Sequence, residues 1–200
     1  STGYVAPVNI KLTDDGVVAT LVMSPGTLEI GTYTFTNNGT NINNNNNIVV
    51  VKYNITGDLQ WATHLKGEAP CIADATYTLS DNSVLLVVNT QKRTVSIGAT
   101  VLFTSANFEP ETSYYYILKL TAQGEYDWVQ YMDSSNNLVR RSVLYDDYLY
   151  ISGRSDKEIT MSGITISSTI TYGYYARVKV SDGSVSYLKA MEASTSFDLH

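Results

Sequence analysis

Residues 48–61 read IVVVKYNITGDLQW, residues 115–128 read YYILKLTAQGEYDW and residues 175–187 read YARVKVSDGSVSY. Each segment is a run of β-forming residues holding a lysine, then a glycine turn, then a second run carrying an aromatic. Lys52 and Lys119 are 67 residues apart, and the pairs Gly57/Gly124 and Trp61/Trp128 keep that offset. In the third segment Lys179, Gly183 and Tyr187 follow the same pattern, with one residue fewer in the turn. The period extends upstream, where Asp14 maps to Asp81, Val17 to Val84, and Gly31 of LEIGTYTF to Gly98 of VSIGATVLF. The third copy supplies Tyr148 in YLYISG and Gly163 in MSGITIS at nearly the same spacing. Several landmarks at one offset mark a repeat architecture.

Each copy resolves into short strands. In the first they fall at Val8–Thr13, Val17–Val22, Leu28–Thr36 and Ile48–Tyr53, with Leu59–Leu65 leading out. Runs of Val, Ile, Leu, Thr and Tyr broken by turn residues are strand signatures. Asp14-Asp15-Gly16, Thr56-Gly57-Asp58 and Gln123-Gly124-Glu125 are such turns, because Gly accepts positive φ and Asx side chains bond their own backbone. No stretch sustains a 3.6-residue period, so little helix is expected. The fold class is therefore all-β: three four-stranded antiparallel units near residues 8–71, 72–137 and 138–193. Asn37–Asn47, rich in Asn, reads as a loop between the third and fourth strands.

Composition narrows the function classes. The net charge of -6 disfavours nucleic-acid binding, which needs a basic stripe. Lys92-Arg93 and Arg140-Arg141 are the adjacent basic pairs, and they read as solvated surface. The single Cys71 excludes an internal disulfide and a Cys-based zinc site, and reads as a small buried apolar residue. No apolar run approaches a membrane span.

The segments VVVKYNITGDLQWATHLKG, ILKLTAQGEYDWVQ, YLYISGRS and MSGITIS together resemble the blade of secreted bacterial β-propeller repeat proteins. That blade reads roughly GNVYVTG, then an F-IGG-TLT hairpin, then DIFVAKYD-GNVLWAK. The resemblance spans about residues 8–192 and implies a partial β-propeller of three blades, exported to the cell surface or beyond. It departs from the pattern in places. Only the third copy keeps a glycine after its second strand, Gly153, where Val22 and Asn89 stand in the others, and that copy lacks the Trp. A propeller ring normally closes with four to eight blades, and open sheet edges invite pairing, so further blades or self-association are expected.

The residues single out no reaction. Asp14, Asp15, Asp81, Asp146 and Asp147 sit at matching turns. On one rim they form an acidic mouth for a cation; otherwise they simply make good turns. A hydrolase or lyase would need two carboxylates converging on a cleft, and no motif picks out a pair. His64, alone in the interior, reads as a half-buried strand residue. Lys52, Lys119 and Lys179 read as scaffold lysines that pair with turn carboxylates or snorkel at a blade edge, rather than as a ring that binds an anion. The Tyr-rich second half offers amphipathic contact area. Tyr145, Tyr148 and Tyr174, with Asp146 and Asp147, are the expected ligand-contacting residues, and no metal or cofactor is expected. The functional expectation is a non-catalytic surface or secreted module for binding or adhesion, with a carbohydrate or protein ligand. Its alternatives are a propeller-based glycoside hydrolase or lyase and a structural spacer.

Overall fold

The structure, a computed structural model, describes residues 4–39, 46–67, 71–91, 94–104, 114–132, 134 and 137–191. Most of the Asn-rich loop, residues 40–45, lies outside the described residues, as do Lys92 and Arg93. The described residues form eighteen strands and no helix. The first six are β1 (Val5–Thr13), β2 (Gly16–Met23), β3 (Gly26–Ile30), β4 (Tyr33–Asn37), β5 (Asn47–Asn54) and β6 (Leu59–Gly67). The next six are β7 (Cys71–Thr78), β8 (Val84–Thr90), β9 (Thr94–Ile97), β10 (Thr100–Thr104), β11 (Tyr114–Leu120) and β12 (Tyr126–Met132). The last six are β13 (Leu138–Tyr145), β14 (Tyr148–Ser155), β15 (Ile159–Met161), β16 (Ile164–Ile166), β17 (Tyr172–Lys179) and β18 (Val185–Met191).

In each group of six, the first, second, fifth and sixth strands make an antiparallel sheet: β1-β2-β5-β6, β7-β8-β11-β12 and β13-β14-β17-β18. The third and fourth strands leave the sheet as a hairpin. This corrects the reading of Leu28–Thr36 as one strand. The chain reverses at Gly31, whose φ is 57°, and Ile30 pairs with Tyr33. Strand alternation runs on through LEIGTYTF, so a two-residue turn leaves no break in the pattern. Leu59–Leu65, read as leading out, lies in β6, the fourth strand of its own sheet. The second hairpin reaches back to the first sheet, where Leu65, Lys66 and Gly67 of β6 pair with Ile97, Ser96 and Val95 of β9.

The repeat extends to irregularities that composition cannot show. A bulge interrupts the first strand of each sheet at Val8, Asp74 and Arg140, between Pro7/Asn9, Ala73/Ala75 and Val139/Arg141. A second interrupts the third and fourth strands after Lys52, Lys119 and Arg177. That register corrects one assignment. Arg177, opposite Tyr187, takes the place held by Lys52 opposite Trp61 and Lys119 opposite Trp128. Lys179 instead stands where Asn54 and Thr121 stand, opening a turn closed by Ser184, as theirs are by Asp58 and Glu125. The third turn thus carries one residue more than the others. Gly153, paired with Val139, likewise corresponds to Leu21 and Val88 rather than to Val22 and Asn89.

Because side chains alternate across a strand, the second sheet turns one face toward the first sheet and the other toward the third. Val18, Ile48, Val50 and Leu65 of the first sheet bury against Ala73, Leu86, Val88 and Leu118 of the second. Leu85, Val87 and Ile117 on the second sheet's other face bury against Leu149, Ile151, Ala176 and Val178 of the third. Each fully buried side chain of this kind contributes about 1.5–3 kcal/mol. One polar device repeats at both junctions. The indole of Trp61 donates to the Ala122 carbonyl at 2.8 Å, and that of Trp128 to Val180 at 3.1 Å. Each ring lies over a turn glycine of the next sheet: a β-carbon on Gly124 would stand 2.5 Å from Trp61, and one on Gly183 2.7 Å from Trp128.

Candidate functional site

Each of the three lysines pairs with a carboxylate, but Lys179 does not share the position of Lys52 and Lys119, and Asp127 lies in β12 rather than in a turn. Buried Lys52 pairs with Asp15 at 2.9 Å, Lys119 with Asp127 at 3.1 Å and Lys179 with Asp182 at 3.6 Å. The Lys52 ammonium draws the Asp15 carboxyl below its usual range, helped by the Thr13 hydroxyl. Cys71 is fully buried, and burial pushes its thiol up to about 12, so it is inert at neutral pH. Among the described residues no group of three His, Cys, Asp or Glu is placed to hold a metal ion.

Three clefts carry titratable groups. At the turn end, a cleft of about 480 Å³ brings Asp81 together with Asp146, Asp147 and Lys119. Burial raises the Asp81 carboxyl, but its bonds from Ser83 bring it below the usual range overall. A general acid for glycoside cleavage needs the opposite shift. A second cleft of about 510 Å³ joins Asp74, at its bulge, to Tyr115, Arg140 and Arg141. The residue is exposed as a whole, yet partial burial of its carboxyl beside Tyr115 raises the pKa. Among the described residues no second carboxylate lines that cleft.

The third cleft, about 540 Å³, runs along β6 between the first two hairpins and includes Phe35, His64, Lys66 and Tyr126. His64 is buried rather than half-buried. The Gly67 amide donates to Asn47 Oδ1 at 3.0 Å, which turns the Asn47 amide nitrogen toward His64 Nε2, also at 3.0 Å. Nε2 is therefore an acceptor and the imidazole proton sits on Nδ1, sealed from solvent and without a partner. Burial, with Lys66 nearby, lowers the His64 pKa to about 4. The sign follows from linkage. The native state binds fewer protons than the unfolded state, so this contribution is complete above about pH 6.5 and is lost as pH falls toward 4. The loss reaches about 3 kcal/mol at its end point. Urea unfolding across pH 7.5 to 4.5 should show this slope, and His64→Gln should flatten it. Equal slopes in the two proteins would refute the assignment.

The expected ligand residues divide among three places. Tyr174 is wholly buried on the third sheet's face toward the second, so it cannot meet a ligand. Asp146 and Asp147 form the β13–β14 turn, with Asp146 at φ 54° and the Asp147 carbonyl accepting from the Val180 amide. Tyr145 and Tyr148 face each other across strands on the third sheet's outer face.

That outer face holds the largest concentration of unabsorbed chemistry. The register places Val143, Tyr145, Tyr148, Tyr150, Tyr175 and Tyr187 on it, interleaved with Arg141, Arg154, Arg177 and Lys189. Tyr145 is 73% exposed. The Arg177 guanidinium lies 4.6 Å over the Tyr148 ring, and the Lys189 ammonium 5.0 Å over the Tyr187 ring. Tyr175 and Tyr187 pack at 4.8 Å between centroids and share a hydroxyl–hydroxyl bond. That bond lowers the Tyr187 pKa, and Lys189 and Arg177 reinforce the effect. Lys179, opposite Tyr148 on the same face, pairs with Asp182, whereas Arg141, Arg154, Arg177 and Lys189 pair with no carboxylate among the described residues. The contrast with the other sheets is sharp. Tyr150, Tyr175 and Tyr187 stand where the first sheet has Val18, Val50 and Trp61 and the second has Leu85, Ile117 and Trp128. Sequence reading found the tyrosines but not the cations beside them, because Arg177 and Lys189 become neighbours only through the pairing of β17 with β18.

No family model, curated protein or solved structure matches the chain.

Proposed function

We propose that the chain is a non-catalytic binding module, built as three blades of a β-propeller and exported to the cell surface or beyond. Its recognition surface is the outer face of the third sheet. The observation that carries the reading is the replacement of aliphatic packing residues of the other sheets by Tyr150 and Tyr175, with Tyr148, Tyr187, Arg177 and Lys189 beside them. Tyr and Arg are the side chains that binding surfaces enrich, because they combine broad contact area with a polar handle. The repeat docking of successive sheets supports the blade description. The hydrolase alternative draws less support, since the clefts do not combine two carboxylates with a raised pKa.

A glycan array, a protein-partner screen and polysaccharide-degradation assays run side by side test this. Binding without turnover is expected, weakened at least tenfold by Tyr175→Ala or Arg177→Ala and unchanged by Asp147→Asn. Turnover that vanishes in Asp147→Asn would overturn it in favour of a hydrolase. Silence in every assay would favour a spacer.

A further inference from the structure

The two junctions inside the chain share one design, and its two halves recur unpaired at the ends of the array. The first sheet's outer face has the same orientation as the faces of the second and third sheets that receive a preceding sheet. Its receiving parts are present. Gly57 holds φ 86° in the place of Gly124 and Gly183, yet a β-carbon there would meet nothing within 4 Å. Ile55, whose counterparts Ala122 and Val180 accept the indole protons, is 84% exposed. Leu12 and Ile10 on β1 point to this face and are 80% and 63% exposed, although their counterparts Thr78 and Thr76 are covered by the first sheet. Among the described residues the β3–β4 hairpin, like β15–β16, pairs with no other strand, whereas β9 pairs with β6.

The third sheet's outer face is the inserting half. Tyr187 occupies the place of Trp61 and Trp128, and Met191 that of Leu65, which pairs with Ile97. The counterpart of Ile97 on the first hairpin is Ile30, one residue before its turn glycine as Ile97 is before Gly98. Charge matches as well. Lys189 stands at the position of Thr63, whose hydroxyl bonds the Gly124 carbonyl, so its counterpart target is Gly57, beside the Asp58 carboxylate. One unpaired cation, Lys189, thus falls opposite a turn that carries an acid.

We infer that the partner of the Tyr-rich face is the first sheet of a second copy of this chain, and that two chains close head to tail into a six-sheet ring. This rests on the binding-surface reading above and names its partner. Tyr187 packs over the partner copy's Gly57 recess, and Leu12 and Ile10 lose their exposure. Six sheets lie within the four to eight that close a propeller, and a head-to-tail interface yields a ring when its rotation closes. Tyr150 and Tyr175 in place of aliphatic residues, with Arg177 between them, suit an interface between chains that fold separately and then associate.

Sedimentation equilibrium from 1 to 200 µM, paired with the glycan array, tests this. The expected mass is twice the 22.0 kDa of one chain. Two exposed changes on β1, Ile10→Asp with Leu12→Asp, should give a monomer with an unchanged circular dichroism spectrum. Tyr187→Ala with Arg177→Ala should do the same, and mixing the two variants should restore a dimer through the one intact interface. A monomer at every concentration, or a dimer indifferent to the Tyr187 and Arg177 changes, would overturn the inference. So would a mass that climbs without limit. If a monomer still binds a glycan through Tyr175, the binding-surface reading stands and only the second copy falls. If it binds nothing, both fall.

Discussion

Trp61→Ala should destabilise the chain by about 3–5 kcal/mol, the range for deleting a buried large aromatic. The ring is 6% exposed, and its N–H bond to Ala122 adds about 1 kcal/mol to what is lost. The receiving side predicts a matched effect. At Gly124 an alanine suffers twice, since φ is 78° and its β-carbon would stand 2.5 Å from the indole. The left-handed backbone alone costs about 1–2 kcal/mol, and overpacking about 1–3 more. Gly57→Ala is the internal control, because it shares the positive φ but meets no ring within its own chain. Urea unfolding below the association range should therefore rank Trp61→Ala and Gly124→Ala well above Gly57→Ala. Tyr187→Ala should barely move the monomer. Similar losses for Gly57→Ala and Gly124→Ala would show that the ring contact contributes nothing.

These pairs mark how much of the fold can be read from residues alone. Gly57, Gly124, Trp61 and Trp128 were legible as a repeat because their offset is constant and each has a strong local reason to be there. Their partnership was not. Trp61 meets Gly124, the glycine of the following copy, and spacing within one copy cannot reveal a contact between copies. Alternation hid the hairpins. Leu28–Thr36 alternates as a single strand does, and only the reversal at Gly31, with Ile30 paired to Tyr33, divides it into a hairpin. Lys179 misled for a simpler reason. One lysine resembles another, but the third turn is one residue longer, so the residue opposite the aromatic is Arg177 and the guanidinium takes the lysine's place.

The candidate site was legible in half. Tyr145 and Tyr148 share the outer face because they flank a two-residue turn and pair directly. Tyr174 precedes Tyr175 in the chain and so points to the opposite face. With no phase assigned to β17, nothing distinguished these two residues. The phase is set by which face is aliphatic in its neighbours. Tyr174, Ala176 and Val178 alternate into the core, leaving Tyr175 and Arg177 outside.

Gly153→Val should cost more than about 4 kcal/mol, enough to unfold a marginal domain. Comparison of the copies suggests otherwise. The equivalent positions hold Leu21 and Val88, so a repeat consensus would place an aliphatic residue there and count it as stabilising. The difference lies in the tyrosine opposite. In the second sheet Tyr116 faces Val88 and sets its hydroxyl 3.2 Å from Cys71. In the third sheet the corresponding Tyr174 fills the space above Gly153: a β-carbon there would lie 2.5 Å from its hydroxyl and 2.6 Å from the ring, and would also strike the Leu138 carbonyl. Both neighbours resist movement, one being backbone and the other a fully buried ring. The φ of Gly153 is not in the left-handed region, so the cost is steric rather than conformational. A double-mutant cycle separates the two obstacles. Tyr174→Ala in the Gly153→Val background should return part of the loss, because it clears the ring and leaves the carbonyl. Strict additivity of the two changes would mean that the ring is not what excludes a side chain at 153.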